Sequence, residues 1–292
     1  MLKAYSIYRD FAKEACDIIK EAGIEVELSN SNKRVNKEEL IKLLKTYDIL
    51  IIGIEEYMTL DMLEGITTNK IIATLSIGVD HIDKSFADSE LITVVNAPTA
   101  NVISVAEHIF GLILALKKRI VEANDLVING KTRKNLTRRG KDISESILGL
   151  IGAGKISREV IKIAKTFNMR IYCNTLHPEQ HQDLKESGIE FVDLDTLLSN
   201  CDIITANLPL TDESNNLISK EKIRLMKKDA TFINTSRAKI VDVEELIKYA
   251  DENDTFNVGL DIDIEDYREI LKIKRNNVIV TPHIAGVTRR IN

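Results

Sequence analysis

The chain has 292 residues, enough for two domains of ordinary size, and its 44% apolar and 29% charged residues are a soluble globular balance. The formal net charge of -5 argues against a general nucleic-acid binder. Three widely spaced cysteines, Cys16, Cys173 and Cys201, form neither a disulfide framework nor a metal-ligand spacing and point to a reducing, cytoplasmic compartment.

The opening MLKAYSIYRDF has too short an apolar run for a signal peptide. Leu2–Tyr8 reads as a strand, Phe11–Ala22 as an amphipathic helix stopped by Gly23, and Ile24–Leu28 as a second strand. A helix over Lys37–Tyr47 leads to the unbroken apolar run Asp48–Gly53, the mark of a strand buried on both faces. A short helix starts at Leu60–Leu63, and strands follow at Lys70–Leu75 and Leu91–Asn96. This alternation predicts a parallel sheet with right-handed crossovers. The pattern breaks near Pro98–Val102, the expected domain boundary. Val102 to about Ile128 is helical around one apolar stretch, in which Ile109–Leu116 is too short to span a bilayer. The basic segment Lys131–Lys141 reads as a solvated connection.

A second alternating series then opens, with strands at Ile147–Ile151, Met169–Asn174, Asp202–Asn207, Ala230–Thr235, Asn257–Asp261 and Val278–Thr281. Its first strand runs into Gly152-Ala153-Gly154 and a helix from Lys155 to Phe167. A strand, a tight glycine turn and a helix start bring backbone N–H groups and a positive helix end to one point, which suits a pyrophosphate. The third fingerprint glycine is Ser157, so the turn alone is a weak signal. More polar signals stand where the later strands end: Asn207-Leu208-Pro209-Leu210-Thr211, Asn234-Thr235-Ser236-Arg237, Gly259-Leu260-Asp261 and Thr281-Pro282-His283-Ile284-Ala285-Gly286. Parallel sheets bind ligands at that edge.

With NAPTANVISVAEH (Asn96–His108) and SIGVDHID (Ser76–Asp83), this ordered set resembles the D-isomer-specific 2-hydroxyacid dehydrogenases from roughly Asp48 to Gly286. The resemblance implies two doubly wound α/β domains. One is a flavodoxin-like substrate domain over 1–98, with 287–292 as a candidate return segment; the other is a Rossmann dinucleotide-binding domain over 99–286. It implies NAD or NADP as cofactor, no metal, a small 2-oxo or 2-hydroxy acid as substrate, and a homodimer formed around residues 102–130.

The family's chemistry needs a guanidinium on the substrate carboxylate and carbonyl, an imidazole that gives or takes a proton, and a carboxylate that holds the imidazole. By resemblance these are Arg237 and His283, with Asp266 or, by a one-residue slip, Glu265 in the carboxylate's place. A third possibility is that neither acid reaches His283. Gly152, Gly154, Lys155, Ile156, Thr175, Pro209, Thr235, Ser236 and Asp261 would hold the cofactor. NAD-binding relatives carry an acid for the ribose hydroxyls where this chain has Thr175, so NADP is permitted without being demanded; His177 follows and no Arg stands near. Ser76, Ile77 and Gly78 match a turn whose amides bind a carboxylate. The stretches Gly53–Glu55 and Thr74–Ser76 lack the arginines of phosphoglycerate dehydrogenases, which predicts against a phosphorylated substrate. The expected function is NAD(P)-dependent hydride transfer between a 2-oxo acid and its D-2-hydroxy acid. The alternative is a weakly catalytic dinucleotide-binding sensor of the same fold.

Overall fold

The computed structural model describes residues 1–9, 11–31, 34–263, 267–272 and 274–288. It divides into two compact units, one over Met1–Asn101 with Thr288, the other over Val102–Val287.

The first unit holds strands β1 (Lys3–Ser6), β2 (Glu25–Leu28), β3 (Ile49–Ile52), β4 (Lys70–Thr74) and β5 (Ile92–Asn96). Helices α1 (Lys13–Glu21), α2 (Lys37–Thr46) and α3 (Lys84–Ala87) lie between them. The sheet is parallel throughout, in the order β2-β1-β3-β4-β5. That is the flavodoxin-like winding. The central β3 is buried almost end to end, and its core includes Leu50, Ile52, Ile72 and Phe86. Asn36 caps α2 by accepting the Glu39 amide hydrogen at 2.9 Å.

In the second unit, helices α4 (Val102–Lys117) and α5 (Ile120–Ile128) precede β6 (Ile147–Ile151), α6 (Lys155–Thr166), β7 (Arg170–Asn174), α7 (Gln182–Glu186) and the two-residue β8 (Glu190–Phe191). Then come α8 (Leu194–Asn200), β9 (Ile203–Ala206), α9 (Lys220–Ile223), β10 (Thr231–Asn234), α10 (Val243–Glu252), β11 (Asn257–Asp261), α11 (Arg268–Leu271) and β12 (Val278–Thr281). Seven parallel strands run β12-β11-β10-β9-β6-β7-β8, so the order reverses between β6 and β9. This is the Rossmann winding with one more strand at the edge. Strands β9, β10 and β11 are buried along their whole length, as their apolar runs require.

Helix α4 lies on this sheet, and Gly259 makes the close approach possible. A Cβ there would stand 2.6 Å from Ile233 Cδ1 and 3.3 Å from Leu112 Cβ. Ile109, Ile113 and Leu116 of α4 are buried in the same core. Each such side chain contributes about 2 kcal/mol by leaving water.

Two expectations change here. The helical stretch from Val102 to Ile128 is broken at Lys118 and Arg119, where Arg119 takes a left-handed φ of 58°. Neither Gly nor Pro marks the break. The buried pair Arg119–Glu122 makes it: Arg119 Nε donates to Glu122 at 2.6 Å and Nη2 donates to Thr137 at 2.7 Å. The basic segment is also more engaged than a solvated connection. Arg138 donates to Asn257 at 2.8 Å, and Lys141 pairs with Asp229 at 2.5 Å.

Candidate active site

The glycine turn sits at the strand-order reversal of the second unit. Gly152 has φ 101°, and a Cβ there would come within 2.7 Å of the Asn207 carbonyl oxygen. Only glycine meets both demands. Gly154 precedes α6, and a Cβ added there meets no protein atom within 4 Å, so packing does not require its bare backbone. No side chain caps α6, which leaves its first turn to other acceptors. Lys155 is exposed beside it, and Ile156 turns onto the core.

Ser157, at the third fingerprint position, is fully buried. Its hydroxyl donates to the Gly152 carbonyl at 2.6 Å and accepts from Asn207 Nδ2 at 3.1 Å. Asn207 accepts in turn from Thr205 at 3.1 Å. The serine therefore ties the glycine turn to the end of β9. At the end of β7, Thr175 is half-buried, while the exposed His177 stands 3.3 Å from Glu179. Pro209 is exposed after β9, where Ser214 donates to its carbonyl at 2.7 Å.

The loop after β10 is organised by the buried Asn234. Its Oδ1 accepts the Ser236 amide hydrogen at 2.9 Å, and its Nδ2 donates to the Arg237 carbonyl at 2.8 Å. Ser236 donates to the Ala206 carbonyl at 2.9 Å, which joins this loop to β9. Thr235 Oγ1 is buried with no hydrogen-bond partner among the described residues. Such an orphan can bond to a group bound there. The Arg237 guanidinium is half-buried and donates to the Ser236 carbonyl at 3.0 Å.

The loop after β12 carries His283 with φ 53°, a left-handed conformation that costs a non-glycine residue about 1–2 kcal/mol. Asp261, fully buried at the end of β11, holds that loop from both sides. It accepts from the Thr281 hydroxyl at 2.6 Å, the Ile284 amide at 2.8 Å and the Ala285 amide at 2.7 Å. The Asp261 carboxylate, expected to hold the cofactor, accepts these three hydrogen bonds from the protein itself. His283 is 18% exposed, and its Nδ1 lies 3.2 Å from Asp263 Oδ2.

Asp266 and Glu265 lie outside the described residues. Asp263, which sequence reading missed, is the carboxylate that meets the imidazole among the described residues. The local sequence carries no signal for it beyond an acid two residues past the end of β11, at the edge where parallel sheets bind ligands.

In the first unit, Ser76 donates to the Gly78 carbonyl at 2.6 Å and Thr74 lies 2.8 Å from the Ser76 hydroxyl. The amides of Ile77 and Gly78 donate to no other described residue.

The family model for the NAD binding domain of D-isomer specific 2-hydroxyacid dehydrogenases matches residues 110–285. A glyoxylate reductase of Thermococcus litoralis is 35% identical over 274 residues, covering 90% of this chain and 82% of its own length. The chain belongs to the D-isomer-specific 2-hydroxyacid dehydrogenases.

A hydroxypyruvate reductase of Thermotoga maritima is 34% identical over 267 residues, covering 90% of this chain and 85% of its own. Among solved structures, a D-lactate dehydrogenase from Aquifex aeolicus, complexed with NAD and lactic acid, superposes with a TM-score of 0.81 at 28% identity. That match covers 99% of this chain and 90% of the other. An acyclic imino acid reductase in complex with NADPH and D-Arg gives a TM-score of 0.87 at 27% identity, covering 99% and 92%. This member of the family is thus an NAD(P)-dependent oxidoreductase acting on 2-oxo and 2-hydroxy acids. The bare approach at Gly154, the uncapped α6 and the orphaned Thr235 hydroxyl fit a dinucleotide.

Proposed function

We propose that the chain interconverts a small, unphosphorylated 2-oxo acid, of the size of glyoxylate or hydroxypyruvate, and its D-2-hydroxy acid. The observation that carries this reading is His283, held in its loop by Asp261 with a carboxylate at Nδ1. Asp263 accepts the Nδ1 hydrogen, which fixes the tautomer and leaves Nε2 to give or take the substrate proton. Arg237 holds carboxylate and carbonyl by its fork of donors. The amides of Ile77 and Gly78 are the first unit's carboxylate donors, supported by their open hydrogens. The nicotinamide, when bound, supplies or takes the hydride.

Gly152, Gly154 and Lys155 hold the pyrophosphate in this reading. Ile156, Pro209, Thr235 and Ser236 line the rest of the cofactor's path, and Asp261 acts on it only through the loop it anchors. Both dinucleotides are accepted. Thr175 places no charge against a 2′-phosphate, and Glu179 beside His177 blunts any preference for one. The substrate is unphosphorylated because no arginine stands at 53–55 or 74–76.

We further propose a homodimer through residues 102–130, supported by exposed Ile120, Val121, Val127 and Ile128. A cytoplasmic setting is supported by three buried free cysteines, of which burial pushes Cys173 and Cys201 up to about 12, keeping them protonated and inert. No described helix is long and apolar enough to cross a membrane.

The test is a spectrophotometric screen of glyoxylate, hydroxypyruvate, pyruvate and 3-phosphoglycerate with each dinucleotide. Turnover of an unphosphorylated acid is expected with both, and His283→Ala and Arg237→Gln each lower kcat/KM by roughly 10²–10⁴-fold. Full activity in His283→Ala, or phosphoglycerate as the best substrate, overturns the reading. Tight dinucleotide binding with no turnover favours the sensor alternative.

A further inference from the structure

The loop that carries His283 is anchored by Asp261, and Asp261 is not the last member of that anchor. Helix α4 is apolar along its buried face, with Val105, Ile109 and Leu112 in the core. His108 interrupts that face, and its side chain is mostly buried. Its Nε2 lies 3.0 Å from Thr281 Oγ1 and 3.8 Å from Asp261 Oδ1. The Thr281 hydroxyl is 2.6 Å from Asp261 Oδ1, the shorter of its contacts, and donates there because a carboxylate can only accept. Nε2 of His108 is then the donor, and the threonine oxygen its acceptor. One directed chain of hydrogen bonds runs from α4 through Thr281 to the carboxylate that grips the Ile284 and Ala285 amides.

From this we infer that His108 is a positioning residue for the reaction, setting the place of His283 without touching substrate. The inference rests on the reading of His283 as the proton-transfer group. A left-handed histidine persists only where its surroundings over-determine it. Here the two residues after His283 and the threonine two before it all bond to one carboxylate. Without the His108 hydrogen, the Thr281 hydroxyl can rotate, since an alternative acceptor, the Leu260 carbonyl, lies 3.4 Å away. The upstream half of the clasp then loses its direction, and a small displacement of an acid/base group is costly in rate.

Two variants separate position from mere packing. His108→Gln keeps an N–H donor on a flexible stem, and His108→Leu keeps bulk and removes the donor. For glyoxylate with NADH, His108→Leu is expected to lower kcat about tenfold while leaving the NADH Kd within about twofold. His108→Gln is expected to recover most of that loss. Hydrogen exchange gives a readout that needs no turnover: the Ile284 and Ala285 amides should exchange about tenfold faster in His108→Leu and near the parent rate in His108→Gln. Should His108→Leu fail to fold, Thr281→Val and Thr281→Ser pose the same question from the other end of the bond. Unchanged kcat and exchange in His108→Leu, or equal damage in the Leu and Gln variants, overturns the proposal. His283→Ala measured in parallel tells the two readings apart. If it stays active, the assignment of His283 falls, while altered exchange in His108→Leu still establishes the clasp.

Discussion

Ser157 stands where a dinucleotide-binding turn has its third glycine, and its buried hydroxyl replaces bare backbone with two hydrogen bonds. Restoring the usual glycine should therefore harm this chain. Ser157→Gly removes both bonds and adds the backbone freedom of glycine inside α6; we expect a loss of about 2 kcal/mol in urea unfolding. Ser157→Ala should lose about 1 kcal/mol. A variant Ser157→Gly as stable as the parent would show that the hydroxyl contributes nothing. Features set by local sequence were legible: Gly152 from the turn it makes, and the places of Arg237 and His283 in the loops after β10 and β12 from the motifs around them. Asp263 and His108 were not. Their partners lie 20 and 173 residues away, joined only by strand register and helix packing. Nothing in the local run of residues encodes such distances.

At the level of elements, the strands were readable from their short apolar runs between helices; Ile147–Ile151, Asn257–Asp261 and Val278–Thr281 hold to the residue, the first two buried and the last, at the sheet edge, partly so. The join of α4 and α5 was not, because a buried ion pair rather than Gly or Pro turns the chain at Arg119. On α5, Val127 and Ile128 are each 72% exposed, beside exposed Ile120 and Val121 on the same helix. If this surface is the dimer contact, Val127→Asp with Ile128→Asp should convert dimer to monomer in light scattering, with the fold retained by circular dichroism. A double variant that remains dimeric would place the contact elsewhere.

For the whole molecule, pH tests the polar floor of the second unit. Burial brings the Lys117 ammonium down to about 8, with Lys141 adding to the effect. An unfolded lysine keeps its proton to about 10.5. Between about 8 and 10.5 the unfolded chain binds more protons than the fold, so stability at this site rises with pH. Below that window both forms carry the charge and its burial cost is fully present, on the order of 3 kcal/mol. Lys117→Met should raise Tm at pH 7, and the gain should shrink toward pH 10. A gain independent of pH would mean that the ammonium is not the source of the cost. Fold class was the most legible property at this scale, since it needs only the alternation of strands and helices and the order in which they cross.

The clasp on Asp261 also orders events during synthesis. The carboxylate leaves the ribosome 20 residues before Thr281, 23 before Ile284 and 24 before Ala285. A sheet of β6 to β11 alone would leave that carboxylate without these partners, which a dry interior does not tolerate. The Asp261 carboxylate is therefore without these three donors until β12 and its loop have emerged. The segment that carries His283 is thus the same one that supplies these donors to the core.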